Sequence, residues 1–98
     1  MNSGNQAMAT FLRKFGMILD CGVPVLRALD VLRKEAPAGG WLQTLISDMH
    51  CAIEGGASLL DVMKRHPERF PPSAIEMMKA GEMIGRVDET LAALAKGY

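Results

Sequence analysis

The side chains able to do chemistry are few and scattered. His50 stands beside Cys51, the pairing that a thiolate nucleophile and its base would need. Neighbours on a helix, however, point about 100° apart and do not face one another, so no nucleophilic site is expected there. His66-Pro67 falls where a helix has to stop, and its imidazole is expected to bond the last helix carbonyls. Gly55-Gly56-Ala57-Ser58 has the glycine content of a phosphate loop, but no lysine follows and a helix, not a strand, precedes it. It reads as a helix stop and restart. Glu76, Glu82 and Asp88 could offer oxygen ligands to a hard cation such as calcium, although the alternating Asp/Asn spacing of a calcium loop is missing. Cys21 and Cys51 lie 30 positions apart and belong to no CxxC pair, so neither a zinc cluster nor a disulfide framework is expected. They read as two buried or half-buried thiols in a reducing cytosol. No catalytic set is assembled, and neither an enzyme activity nor a cofactor is expected.

One segment asks for more than packing. Ala80-Gly81-Glu82-Met83-Ile84-Gly85-Arg86-Val87-Asp88 places two glycines four apart, with a carboxylate after the first. Glycine inside a helix costs about 1 kcal/mol against alanine, so Gly81 needs a reason. Either a neighbouring helix touches the backbone there and Gly85 supplies the turn, or Glu82 serves a partner or an ion. Met77, Met78 and Met83 are unbranched and adaptable, and join Gly81, Glu82 and Gly85 as candidates for a contact surface. Met8, Met17, Met49 and Met63 are assigned to core stripes. Glu82→Lys is then expected to weaken complex formation without unfolding the domain.

The elements that must position these residues are helical. The chain has 98 residues, 49% hydrophobic and 22% charged, enough for one modest core. Eleven basic residues offset eleven acidic ones and are spread along the chain, which argues against nucleic acid as a partner. The longest stretches without a charge, Met1–Leu12 and Ala36–Ser47, have twelve residues each. Neither reaches the roughly 20 apolar residues of a membrane span. Met1–Ala7 has no basic or apolar region of a signal peptide and reads as a flexible lead-in of cloning origin, with a domain over residues 8–98.

Met8, Phe11, Leu12, Phe15, Ile18 and Leu19 recur at steps of three and four, predicting a helix that ends near Cys21 with Gly22 left-handed. Val25, Ala28, Leu29 and Leu32 continue the period in a second helix, Pro24 to Ala36, with Asp30 and Lys34 as an outward pair. Leu42, Leu45, Ile46, Met49 and Ile53 form a third stripe that stops at Gly55-Gly56. Ser58 with Asp61 starts a short fourth helix, closed before Pro67. Pro71-Pro72 opens a fifth over Ser73–Met83, with Ile75 and Met78 inward, and Asp88-Glu89 begin a sixth. With connectors this short, the elements predict an all-α fold: a single compact antiparallel bundle of about six short helices.

In order along the chain, four blocks resemble the type II secretion system F domain. They are Phe11–Phe15 through Asp20-Cys21-Gly22-Val23-Pro24-Val25-Leu26-Arg27-Ala28-Leu29; Glu54-Gly55-Gly56-Ala57-Ser58-Leu59; His66-Pro67 with Phe70-Pro71-Pro72; and Ala80-Gly81-Glu82 with Gly85-Arg86-Val87-Asp88-Glu89. The resemblance covers about residues 8 to 97. It implies a six-helix bundle from a polytopic inner-membrane platform protein of type II secretion or type IV pilus machines, with two such cytoplasmic domains among three transmembrane helices. This chain would be the first of the two. The implied partners are the cytosolic assembly ATPase, other inner-membrane subunits, pilins or pseudopilins, and a second copy of the domain. The implied role is scaffolding, on the cytoplasmic side of the inner membrane. In this chain Cys21 stands where the family favours small residues, and Met83-Ile84 replaces a short polar pair. The alternative is a free-standing helical adaptor or a helix-turn-helix regulator built on the first two helices, against which Asp30 and Glu35 count.

Overall fold

A computed structural model describes residues 3–98, and all regular structure in it is helical. The order is α1 (Ser3–Asp20), α2 (Val25–Glu35), α3 (Trp41–Glu54), α4 (Leu59–Lys64), α5 (Pro72–Met83) and α6 (Val87–Ala95). Met1 and Asn2 lie outside the described residues, but α1 already runs through residues 3–7, which were expected to be a flexible lead-in. Ser3–Ala7 contains no proline and can extend the Met8 stripe by further turns.

The helix ends follow local chemistry. Gly22 takes φ +88° at the end of α1, a conformation that a side chain would resist. Its N–H donates to Leu19 O at 2.9 Å and the Val23 N–H donates to Ile18 O at 3.4 Å, closing the helix in a Schellman motif. Ser58 and Asp61 form the expected capping box: the Asp61 N–H donates to Ser58 Oγ at 3.0 Å, and the Ser58 N–H to Asp61 Oδ2 at 3.1 Å. Pro72 occupies the first turn of α5, where its missing N–H costs nothing. Asp30 pairs with Lys34 at 3.4 Å and also with Arg33, a surface arrangement of small energetic weight.

The apolar stripes meet in one core. Phe15, Leu12, Leu29, Met49, Met63 and Phe70 are buried among its members, and the rings of Phe11 and Phe15 stack with centroids 5.6 Å apart. α1 runs antiparallel to α6: Gly16 packs on Asp88 and Ala92, while Asn5 and Met8 near the start of α1 border the same cavity as Gly97 and Tyr98. α2–α3 and α5–α6 form antiparallel hairpins, and α4 bridges α3 and α5. Tyr98 closes the globule, its hydroxyl donating to the Arg69 carbonyl, and burial pushes its pKa to about 12.

Three sequence expectations fail for one geometric reason. Met17 is 60% exposed, and Cys21 and Cys51 are both exposed thiols. At about 100° per residue, Met17 and Cys51 each stand roughly half a turn from the centre of their helix's apolar stripe, and Cys21 follows α1 off its stripe. No helix among the described residues is long and apolar enough to cross a membrane.

Candidate interaction surface

The α5–α6 turn is built on the two glycines. Gly81 is buried against α6: a Cβ there would sit 2.9 Å from Thr90 Cβ and overlap the Thr90 hydroxyl, which is itself fixed by donating to the Arg86 carbonyl at 2.7 Å. The close-approach reading of Gly81 is therefore correct. Gly85 adopts φ +72°, and the Arg86 N–H returns to Gly81 O at 2.8 Å. This turn holds Met83 and Ile84 in solvent, 81% and 67% exposed.

The methionines expected at this surface do not share one face. Met78 is fully buried and belongs to the core. Met77 is 42% exposed and borders the cavity near Tyr98. Met83 stands six residues on from Met77, about 240° round the helix. Only Met83, joined by Ile84, crowns the α5–α6 turn. Glu82 does two things: its Oε2 accepts the Leu60 N–H at 3.3 Å, satisfying a free donor of the first turn of α4, and its side chain borders a groove. The hydrogen bond gives Glu82 a structural task that its sequence neighbourhood does not announce.

That groove, about 500 Å³, lies at the pole of the bundle opposite Tyr98. Its walls come from the end of α1, the start of α2, the α3–α4 connection and the α5–α6 turn. Leu19, Val25, Ile53, Ala57 and Val87 are half-buried there, packed on the core while still presenting surface. Glu82 and Asp88 are its charged members. Asp20, at the end of α1, is held above the ordinary carboxylate range by Asp88, first through a hydrogen bond between the two carboxyl groups and then by charge. Glu76 is exposed on α5 and does not line this groove. Among the described residues no group of three or more His, Cys, Asp or Glu side chains is arranged to hold a metal ion.

His66 borders one cavity with Cys51 and Asp48. His66, expected to bond helix carbonyls, instead turns its ring to Glu68 Oε2 at 3.4 Å and Asp48 Oδ2 at 4.0 Å. Two contacts escaped sequence reasoning because their partners are remote in the chain. Arg69 lies over the Trp41 ring at 3.7 Å, a cation–π contact that fastens the α4–α5 loop to α3. Gly16 lies against α6 so closely that a Cβ would come within 2.7 Å of Asp88 O. Periodicity offers no signal for either.

The small all-helical domain thus presents an apolar turn beside an acidic-edged groove. The chain belongs to the type II secretion system (T2SS) protein F family, whose model matches residues 11–98. It is similar to the type IV pilus assembly protein PilC of Myxococcus xanthus, 29% identical over 85 residues, which are 87% of this chain and 20% of that protein. It is similar also to the type II secretion system protein F of Xanthomonas campestris pv. campestris, 31% identical over 91 residues, 93% of this chain and 22% of that protein. PilC of Thermus thermophilus is 29% identical over 92 residues, 94% of this chain and 22% of its own length. The chain thus spans about a fifth of the length of these curated relatives. The helix-turn-helix alternative gives way to this membership.

Proposed function

We propose that this chain is a non-enzymatic scaffold: a cytoplasmic domain of an inner-membrane platform protein that couples an assembly ATPase to pilin or pseudopilin assembly. The observation that carries the reading is the family match across residues 11–98. Relatives named for type IV pilus assembly and for type II secretion both support it, and leave either machine as the setting. The exposed Met83-Ile84 turn supports it as well, because a largely exposed pair of large apolar side chains gains free energy when a partner covers it.

The first test is fractionation of the full-length native product, detected with an antibody against these 98 residues. The platform reading expects a species well above 10.6 kDa that resists carbonate and yields to detergent. A carbonate-soluble species near this mass would make the chain a free-standing adaptor. The second test is co-purification of the assembly ATPase with the detergent-solubilised protein, which the scaffold reading requires.

A further inference from the structure

We infer that the groove at the pole opposite Tyr98 receives an amphipathic helix of a partner protein, its apolar face on Leu19, Val25, Ile53 and Val87 and its Lys or Arg side chains on Glu82 and Asp88. This deepens the scaffold reading and rests on it only for which protein supplies the helix. The walls bring together half-buried aliphatic side chains from α1, α2, α3 and α6, an arrangement in which each helix leaves part of its apolar stripe uncovered. A helix laid in such a groove reads it through anchors spaced three and four residues apart.

The charge of the site selects the occupant. Both charged lining residues, Glu82 and Asp88, are acidic, and Asp20 adds a third carboxyl in contact with Asp88. Among the described residues no Lys or Arg nitrogen lies within 4.0 Å of any of these three carboxyl groups. Asp20 and Asp88 therefore press like charge together with no cation paired directly to either: Arg86 feels the Asp88 charge but pairs with Glu89 at 2.8 Å. A basic edge on the incoming helix would supply that relief, whereas an acidic edge would add to the repulsion. The groove shares no lining residue with the cavity bordered by Asn5 and Tyr98.

The probe is an 18-residue Leu/Lys amphipathic peptide added to the isotope-labelled 98-residue chain, with a Leu/Glu peptide of the same pattern as control. The expected result is amide shift changes confined to the ends of α1 and α3, the start of α2 and the α5–α6 turn, seen with the Leu/Lys peptide alone. The paired substitution Glu82→Gln and Asp88→Asn should weaken that binding by about two- to thirtyfold, the range for two exposed ion pairs, and lower its salt dependence. The amide oxygen that Glu82→Gln introduces can still accept the Leu60 N–H, so that single substitution should leave the melting temperature unchanged. Shift changes elsewhere, equal binding of the Leu/Glu peptide, or no effect of the paired substitution would overturn the inference. So would a groove that responds to calcium chloride alone and ignores the peptide, or one already covered by a second copy of the chain. Because the platform reading is tested on the full-length protein, either idea can fail while the other stands.

Discussion

One added methyl group at Gly16 or Gly81 should do more harm than many larger surface changes. At Gly16 the new Cβ would meet the Asp88 carbonyl oxygen at 2.7 Å, and backbone cannot step aside cheaply. Gly16→Ala should therefore destabilise the chain by about 1–3 kcal/mol, read as a fall of roughly 4–8 °C in melting temperature per kcal/mol. Gly81→Ala should behave similarly, and Thr90→Ala should restore only part of the loss, because Thr90 Cβ alone sits 2.9 Å away; a double-mutant cycle measures the coupling. Gly81 was legible because a glycine in the middle of a good helix has a cost that something must offset. Gly16 was not, since a heptad-like stripe shows which face of a helix is buried but not where another backbone crosses it. Leu45→Ala and Phe15→Ala, at buried positions that the stripes do identify, should each cost about 3 kcal/mol. Met17 shows the limit of the same reading, because a residue near the stripe in sequence stood opposite it in angle.

At the scale of the element, α4 is the most dependent. It has six residues, too few to persist alone, and its first turn is held by Ser58, Asp61 and, from α5, Glu82. Ser58→Ala should cost about 1 kcal/mol and raise hydrogen exchange selectively in α4. The Ser58 backbone N–H, followed by its hydroxyl, holds the Asp61 carboxyl below its ordinary value. That contribution is fully present above the pKa of the unfolded chain and is lost as pH falls through the lower folded value. Asp20 has the opposite sign: Asp88 raises its folded pKa, so its folded form gains as pH falls and is disfavoured once pH rises through that raised value. Asp20→Asn should accordingly raise the melting temperature at pH 7 and leave it unchanged at pH 3, where the native carboxyl is already protonated. Glu82→Lys should reduce both thermal stability and partner binding, with Glu82→Gln separating the two. The capping box, the proline at the start of α5 and the glycine turns were all readable, since each is a local device of three or four residues. The Glu82–Leu60 bond spans the gap between two helices and leaves no local trace.

For the whole molecule, replacing both members of the exposed turn, Met83→Asp with Ile84→Asp, should leave the melting temperature unchanged while reducing pilus assembly or secretion by the full-length protein. An equal loss of stability would show that the turn is part of the fold and not a surface for others. The all-α class and the six elements could be read from the order of stripes, breakers and caps. Which helix lies beside which could not, because amphipathic periodicity fixes the direction a helix faces and not its neighbour. The pairing of α1 with α6 has a mechanical consequence. Since the two helices run antiparallel, residues near Asn5 and Tyr98 lie together at one pole. A tension applied through both ends would pull this pair open like a zipper, breaking contacts in sequence from Asn5 and Tyr98 toward Gly16, rather than loading them all at once in shear. Pulled in that direction the bundle should yield at low force, with Asp20 against Asp88, one turn beyond Gly16, as the last tooth to part.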